Sequence, residues 1–466
     1  MPTIFRSNAN GSFSFTEPVN IGGSYDVTVY VEPQSPVQFC VVSNGKGTAT
    51  SDVSVVQVTC TTPSEQTLFN FAAPADDNPP VGSLTLDNSG NLYGASSGGD
   101  NSYGTVFKLA PSNGQWTETV LYTFCQLSGC ADGAKPGAGL IWDAAGNLYG
   151  TTTAGGAYGS GTAFKLTPGA NGSWMQTVMH SFGNGTDGGG VSSALVFDRA
   201  GNLYGTTYGG GSSQGCVRGC GTVFELSPNS NETWSEKVLY SFCSASGSFC
   251  PDGANPVGGV VVDSAGDLYG TTFFGGGNGV EFGIVFELSP GSGSQWTEKV
   301  LYAFQGGSTD GANPNAGVIL DSAGSLYGTT EFGYEAVGIN NGVVFELSSA
   351  GGQWREAVIY GFCALPLPGG CPDGANPYAP VVFDKAGNLY GTTTLGGLYG
   401  TFGTVFAITP GTPGGLWAET ALYSFQGAPT DGGNPSFGLL IDTAGNLYGV
   451  AGGGTNGTGV IFEVRP

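Results

Sequence analysis

The residues that could do chemistry in this chain are mostly carboxylates placed in repeated turns. An aspartate that opens a turn such as Asp-Gly-Ala-Asn-Pro recurs seven times, and a second aspartate opens seven Asp-x-x-Gly turns. Paired carboxylates could serve a glycosidase, and carboxylates in Gly-rich loops are hard oxygen ligands that suit Ca²⁺. Both aspartates repeat alike in every copy, whereas catalysis needs one distinctive site. We therefore expect no catalytic residue, no metal ligand and no cofactor, with Ca²⁺ as the alternative.

The ten cysteines form a second group, and they occur as close neighbours in the sequence. The pairs are Cys40 with Cys60, Cys125 with Cys130, Cys216 with Cys220, Cys243 with Cys250, and Cys363 with Cys371. An even number of cysteines arranged in local pairs predicts five short-loop disulfides, which persist in oxidising compartments. The alternative, a zinc site, needs four ligands gathered together, and with one histidine in the chain the pairs would have to combine across distant loops. That histidine, His180, occupies a position where other copies carry Tyr, so we interpret it as a substituted strand residue.

Aromatic residues form a third group, in glycine-rich loops beside the first of the two aspartate turns. The candidates are Tyr103, Tyr158, Tyr208, Phe274, Phe282, Tyr334, Tyr399 and Phe402. Aromatic platforms next to carboxylates and amides are typical of surfaces that contact carbohydrate or protein. We therefore interpret these residues as a candidate binding face. The alternative is that the rings pack between neighbouring repeats.

A repeat with a spacing of 55 to 65 residues positions all three groups. The string Gly-Asn-Leu-Tyr-Gly recurs with minor variation seven times, at Tyr93, Tyr149, Tyr204, Tyr269, Tyr327, Tyr390 and Tyr448. Each copy offers four short β-rich runs bounded by Gly, Pro, Asp and Asn, which indicates four strands, a to d. Four antiparallel strands per copy, with no helical period, predict an all-β fold built around a seven-bladed β-propeller. A solenoid is the alternative.

The two ends of the repeat region predict how the ring closes. The last copy stops after its strand c, while an orphan strand d, residues 66–71, precedes the first complete copy. We expect residues 66–71 to complete the last blade, a Velcro closure that leaves no exposed edge. The propeller is thus predicted to span residues 63–466. Residues 1–62 lack the repeat, and the four or five short strands expected there predict a small, incomplete immunoglobulin-like β-sandwich.

An incomplete sandwich with exposed edges invites strand addition from a neighbouring molecule. A head-to-tail contact that does not close a ring produces a filament. The sequence therefore predicts that copies of the chain bind one another through residues 1–62, with extracellular glycans or proteins as the other expected partners. The alternative is an accessory module that packs on its own propeller.

The charge balance excludes two classes of partner. Lys and Arg number 12 against 35 Asp and Glu, which gives a formal charge of −23. Binding to nucleic acid or to an anionic membrane surface depends on basic groups, so neither suits this chain. No apolar run is long enough for a transmembrane helix, and the first residues lack the apolar core of a signal peptide. Together with the predicted disulfides, this favours an extracellular or cell-surface protein whose leader and anchor are not in this sequence.

The repeat motifs resemble a known family. Gly-Asn-Leu-Tyr-Gly-Thr-Thr, Gly-Thr-Val-Phe-x-Leu and Trp-x-Glu-x-Val-Leu-Tyr-Ser-Phe are similar to the tandem repeats nicknamed GloVer, found in secreted or surface-anchored bacterial proteins, and the resemblance covers residues 66–466. Residues 1–62 likewise resemble part of a small β module of bacterial surface proteins. The resemblance implies export and no known catalytic residues.

These observations favour a non-enzymatic function. We expect an extracellular structural or adhesive propeller that is not an enzyme and that self-assembles into a filament or surface layer by strand complementation through residues 1–62. One alternative is a lectin-like propeller that binds carbohydrate on the aromatic face. Another is a glycosidase or lyase that acts on polysaccharides.

Overall fold

The chain forms an all-β structure. The computed structural model describes residues 12–15, 18–27, 38–71, 80–98, 103–213, 215–245, 249–277, 281–292, 295–334, 341–363, 370–410 and 417–466. Seven antiparallel sheets follow one another, six with four strands and one with an additional edge strand. Two 3₁₀ turns, Ser128–Cys130 and Ala170–Gly172, lie between strands. This architecture confirms the predicted all-β propeller class.

Each sheet is one blade, and its strands are a, b, c and d in the order in which they pair across the sheet. Blade 1 contains Pro80–Leu86, Leu92–Ser96, Thr105–Ser112 and Gln115–Thr123. Blade 2 contains Ile141–Trp142, Leu148–Ala154, Thr162–Pro168 and Trp174–Ser181, with Ala134–Pro136 as its additional strand. Blade 3 contains Val196–Phe197, Leu203–Thr207, Thr222–Pro228 and Trp234–Ser241. Blade 4 contains Val261–Val262, Leu268–Thr272, Ile284–Pro290 and Trp296–Ala303.

The remaining blades follow the same pattern. Blade 5 contains Ile319–Leu320, Leu326–Thr330, Val343–Ala350 and Gln353–Gly361, and a short pair, Gly311–Ala312 with Phe332–Gly333, extends it at one end. Blade 6 contains Val382–Phe383, Leu389–Thr393, Thr404–Thr409 and Ala418–Ser424. Blade 7 contains Leu440–Ile441, Leu447–Ala451, Val460–Arg465 and, as its strand d, Ser64–Asn70.

Strand b carries the Leu-Tyr-Gly-Thr-Thr motif and is buried on both faces, because a neighbouring sheet covers each side. In blade 5, every residue of Leu326–Thr330 is buried. Gly328 at its centre has no side chain because the ring of Phe345 on strand c takes that space, and a Cβ there would lie 2.6 Å from the ring. Strand d of the same blade instead alternates between more and less exposed residues, as expected for a strand with one face in water.

Seven apolar clusters join the blades, and each cluster is shared by two neighbours. The cluster between blades 7 and 1 contains Tyr448 and Phe107, so the succession of contacts returns to its start. Strand b adds a hydrogen bond at most of these interfaces. In blade 5, for example, Thr329 Oγ1 donates to the carbonyl of Ala379 in blade 6 at 2.9 Å.

The fourth strand of blade 7 comes from the segment that precedes blade 1. Ser64–Asn70 pairs antiparallel with Val460–Arg465, and Val460 lies opposite Asn70. Beyond the strand, Thr455 N donates to Asn70 Oδ1 at 3.0 Å. The sheet that holds the C-terminal strand therefore also holds a strand from near the start of the described chain.

The described residues before Ser64 form two short antiparallel pairs. Ser24–Asp26 pairs with Lys46–Thr48, and Phe39–Ser43 pairs with Gln57–Thr61, where Cys40 and Cys60 form a disulfide. Phe39 is fully buried against blade 6, with its ring centroid 5.9 Å from that of Tyr390. These contacts place the N-terminal strands on their own propeller. The division of the chain at residues 62 and 63 stays a prediction.

Candidate functional site

One face of the ring carries the b-to-c loops and the connections from strand d to the next strand a, and we call it the loop face. It holds four of the five disulfides, namely Cys125–Cys130, Cys216–Cys220, Cys243–Cys250 and Cys363–Cys371. The candidate aromatic residues also lie here, and they fall into two groups. Tyr103, Tyr158, Tyr208, Phe274 and Tyr399 are exposed, by 36% to 57%.

The other three candidate aromatics pack against glycines that follow or end strand d of their own blade. The ring of Phe282 covers Gly306, that of Tyr334 covers Gly361, and that of Phe402 covers Gly427. These rings are only partly exposed and support their loops. The structure thus separates the predicted binding face into five outward rings and three packed rings, and the role of these eight residues in binding stays a prediction.

The first repeated aspartate, in the d-to-a connection, accepts hydrogen bonds from its own surroundings. Asp310 is buried, and its carboxylate accepts from Tyr302 Oη at 3.0 Å, Gln305 N at 2.7 Å and Gly311 N at 2.6 Å. The aspartates in the equivalent positions are Asp132, Asp187, Asp252, Asp373 and Asp431, while Asp76 lies outside the described residues. On strand d of blade 2 the donor is His180, whose Nε2 lies 3.0 Å from Asp187 Oδ2. The carboxylates of this repeated aspartate therefore stabilise the turns in which they lie.

The second repeated aspartate lies in the a-to-b turn at the opposite face. Asp143 accepts hydrogen bonds from Ala145 N, Asn147 N, Asn147 Nδ2 and Tyr149 Oη, all within 2.9 Å. Burial would raise the pKa of Asp143, but these hydrogen bonds to the charged form outweigh it and hold the pKa below its ordinary value. The carboxylate is therefore ionised and fully engaged by the chain.

Glu331 is a carboxylate that lies outside the repeated positions. It occupies the position directly after Leu-Tyr-Gly-Thr-Thr, where blades 2, 3, 4 and 6 carry Thr153, Tyr208, Phe273 and Thr394. Its backbone is fixed between two blades, because Glu331 N donates to the carbonyl of Asn313 at 3.2 Å and its own carbonyl accepts from Asn376 Nδ2 at 2.9 Å. The side chain is therefore presented at the interface of blades 5 and 6.

Three different polar groups meet at this interface. Asn315 Nδ2 donates to Glu331 Oε2 at 2.5 Å. Burial raises the pKa of Glu331, while the hydrogen bond from Asn315 opposes that rise. Burial and the nearby negative charge of Glu331 raise the pKa of Tyr378, which is 36% exposed. A carboxyl group, an amide and a phenol thus meet here on the loop face, and blades 2, 3, 4 and 6 carry no carboxylate at the position equivalent to Glu331.

A shallow cleft of about 190 Å³ lies on the blade 4 side of Glu331. It is lined by Phe282, Gly306, Gly307, Ala312, Asn313, Phe332 and Gly333. Phe332 directly follows Glu331, and Asn313 Nδ2 donates to the carbonyl of Phe273 at 2.9 Å, so the cleft and the Glu331 group share their supporting loops. Two phenylalanine rings and the amide of Asn313 are the side chains in this lining that could contact a ligand.

Sequence reasoning missed Glu331, Asn315 and Tyr378. Glu331 places a carboxylate where blades 2, 3, 4 and 6 carry Thr, Tyr or Phe, whereas Asn315 and Tyr378 occupy one variable position in two successive copies, and both features appear only when the copies are compared for their differences. Among the described residues no long apolar helix that could cross a membrane occurs. The five disulfides fit an extracellular protein.

Fold and site together define a disulfide-bonded seven-bladed β-propeller with one distinctive polar site on its loop face. The chain belongs to the Gloeobacter/Verrucomicrobia repeat family, whose profile matches residues 34–250 and 212–462. The predicted resemblance is thereby confirmed. No curated protein matches the chain.

Several solved structures are similar to this chain. One is an α-L-arabinanase from Penicillium chrysogenum in complex with arabinobiose, at 11% identity, with 86% of this chain and 97% of that chain covered and a TM-score of 0.43. A periplasmic gluconolactonase from Pseudomonas aeruginosa has 13% identity, 82% and 93% coverage and a TM-score of 0.45. A putative oxidoreductase (glucose dehydrogenase) from Thermus thermophilus has 12% identity, 86% and 100% coverage and a TM-score of 0.40.

These three structures are described as enzymes, and they contradict the prediction of a non-enzymatic structural or adhesive protein. The prediction that the chain is not an enzyme is wrong for the same reason. That prediction rested on the aspartates, which do repeat alike, and it did not consider carboxylates outside the repeated positions such as Glu331. At identities of 11% to 13% and TM-scores below 0.5, no activity of these enzymes is transferred to this chain.

Proposed function

We propose that this chain is a secreted, carbohydrate-active propeller that holds a neutral oligosaccharide or polysaccharide against its loop face, with Glu331 as the acid group of the site. The observation that carries the proposal is the departure of blade 5 from the repeat. Glu331, Asn315 and Tyr378 meet at one interface beside a shallow cleft, on the face that carries the exposed aromatic rings.

The chemistry of the face supports a sugar ligand. Exposed Tyr and Phe rings offer flat apolar surface with a polar edge, which matches the apolar faces and hydroxyl rims of sugar rings. The amide of Asn315 and the phenol of Tyr378 can exchange hydrogen bonds with hydroxyl groups. A formal charge of −23 repels acidic polysaccharides, so the ligand is neutral.

The raised pKa of Glu331 adds a chemical role. A carboxyl group that stays protonated to a higher pH than usual can donate a proton to a leaving oxygen, as a general acid does. Within the described residues, the groups beside Glu331 are an amide and a phenol rather than the second carboxylate of most glycosidases. The geometry therefore supports glycan binding first and cleavage of a glycosidic bond second.

A glycan array and a reducing-end assay on neutral polysaccharides test the two activities separately. Wild type, Glu331→Gln and Tyr378→Phe are compared with Glu232→Gln, which removes one charge from an exposed turn on the opposite face. We expect Tyr378→Phe to weaken binding by about tenfold, the effect of one lost hydrogen bond to a charged or polar partner. Glu232→Gln should behave as wild type.

The outcomes separate binding from catalysis. If Glu331 is only a binding group, Glu331→Gln lowers affinity and no reducing ends appear with any variant. If it is the general acid, Glu331→Gln retains binding and loses product formation. Neither binding nor cleavage by the wild type on any neutral glycan would remove the proposal.

A further inference from the structure

Two disulfides on the loop face lie against each other. Cys216–Cys220 belongs to the b-to-c loop of blade 3, and Cys243–Cys250 belongs to the connection from blade 3 to blade 4. The four Sγ atoms all lie within 4.8 Å of one another, and no other group of three or more His, Cys, Asp or Glu ligand atoms gathers in this way among the described residues. Four sulfurs from two loops therefore occupy one small volume.

We propose that Cys216, Cys220, Cys243 and Cys250 constitute one site with two states, a pair of disulfides when oxidised and a Zn²⁺ tetrathiolate when reduced. Zn²⁺ prefers four tetrahedral ligands and binds Cys₄ sets, with Zn–S bonds of about 2.3 Å that place sulfurs about 3.8 Å apart. The four sulfurs already lie within 4.8 Å of one another, so that reduction must separate only the two bonded pairs to reach that spacing.

Backbone hydrogen bonds that do not depend on the disulfides hold Cys220, Cys243 and Cys250 in place. Asn255 N donates to the carbonyl of Cys220 at 2.7 Å, Cys243 N donates to the carbonyl of Gly253 at 3.0 Å, and Gly253 N donates to the carbonyl of Cys250 at 2.9 Å. Cys220 and Cys250 are buried in the apolar cluster between blades 3 and 4. Reduction therefore leaves both loops anchored at the same distance from each other.

Two further features suit a metal ion. Gly215 leaves room beside the sulfurs, since a Cβ there would lie 2.6 Å from Cys243 Sγ and 3.6 Å from Cys220 Sγ. Cys216 and Cys243 are partly exposed, whereas Cys220 and Cys250 are buried, so reductant and ion can reach the cluster from one side. The other pairs on this face have no second pair within reach in the described residues.

The interconversion balances with a named reductant and oxidant. Two molecules of a phosphine, each giving up two electrons and taking an oxygen atom from water to become a phosphine oxide, reduce both disulfides to four thiols, whose hydrogens come from the same two waters. Binding of Zn²⁺ releases the four thiol protons, because the ligand is the thiolate. Two molecules of diamide, a thiol oxidant, each take two electrons from the tetrathiolate and two protons from the solvent to become the hydrazine, so that both S–S bonds form and Zn²⁺ is released.

Metal titration of the reduced full chain under anaerobic conditions tests the proposal. Co²⁺ serves as the probe, because a tetrahedral tetrathiolate gives intense visible absorption that Zn²⁺ then abolishes by displacement. We expect one equivalent of tetrahedral Co²⁺ for wild type and none for the double variant Cys216→Ser/Cys220→Ser. The matched control is Cys125→Ser/Cys130→Ser, which removes a local pair of similar spacing and should still bind one equivalent.

A second readout does not depend on how the variants fold. Diamide added to the Zn²⁺-loaded wild type should release one equivalent of Zn²⁺ to a chromophoric chelator while mass spectrometry finds both local disulfides. Retention of tetrahedral Co²⁺ by the Cys216→Ser/Cys220→Ser variant overturns the assignment of these residues. A reduced wild type that takes up no tetrahedral Co²⁺ overturns the site itself, whatever the variants do.

Discussion

Replacing Glu298 by Gln should make the protein more stable at alkaline pH and leave it unchanged at acidic pH. Glu298 lies on strand d of blade 4, with its Oε1 buried and without a hydrogen-bond partner. Burial and the negative charge of Asp252 raise the pKa of Glu298 from 4.5 to about 7. In blade 2 the same position is Gln176, whose Nε2 donates to the carbonyl of Asp132 at 3.0 Å, so the repeat itself contains the substituted arrangement.

The sign and size of the change in the free energy of unfolding follow from the pKa of Glu298 in the unfolded and in the folded chain. Below about pH 4.5 the carboxyl group of Glu298 is neutral in both the folded and the unfolded chain, so its ionisation does not reduce the free energy of unfolding. As the pH rises through 7 the unfolded chain ionises first, which favours unfolding by at most about 3 kcal/mol. Because the side chain is partly exposed, screening by solvent reduces this to about 1–2 kcal/mol. Gln cannot ionise, so the variant does not lose this free energy of unfolding as the pH rises.

Urea denaturation near pH 4 and near pH 8 measures the effect. Glu298→Gln should match wild type in its free energy of unfolding near pH 4 and exceed it by about 1–2 kcal/mol near pH 8. Glu232→Gln, an exposed replacement in a turn, should show no such difference. Equal pH dependence of Glu298→Gln and wild type, or a loss of stability near pH 8, would refute the reasoning.

Three further substitutions test how the blades hold together. Thr329→Val removes the hydrogen bond to the Ala379 carbonyl and should lower the free energy of unfolding by about 1–3 kcal/mol in urea, because that buried carbonyl loses its partner. Gly328→Ala places a methyl group 2.6 Å from the Phe345 ring and should lower the melting temperature by several degrees in calorimetry, since overpacking costs about 1–3 kcal/mol. Phe39→Ala should release the N-terminal strands, so that limited proteolysis cleaves near residue 62 while the propeller core resists; equal cleavage rates in variant and wild type would contradict this docking.

The fold was predictable because a repeat determines its own architecture. Because the motifs recur at fixed spacing, each strand could be recognised in several copies, and the unpaired strand before the first copy indicated that the ring of blades closes. The same regularity concealed the site. Glu331 is one residue at one of seven equivalent positions, and only the three-dimensional meeting of blades 5 and 6 brings Asn315 and Tyr378 to it.

The cysteines illustrate a second limit. Sequence spacing correctly predicted local pairs, but it also suggested that distant loops would have to combine for four sulfurs to meet. In the propeller, a b-to-c loop and the following d-to-a connection lie on the same face of one blade. This arrangement brings Cys220 and Cys250 into one cluster. The docking of Phe39 on blade 6 was equally inaccessible, since no pattern in the sequence links the two.

The strand exchange that completes blade 7 also sets an order of events during synthesis. Ser64–Asn70 emerges from the ribosome early and must wait for Val460–Arg465, and Asn70 and Thr455 meet across 385 residues. Pairing over such a sequence distance is intrinsically slow. Until the last strand arrives, the nascent chain carries an unpaired edge, which is the kind of surface that chaperones bind and that premature termination would leave permanently open.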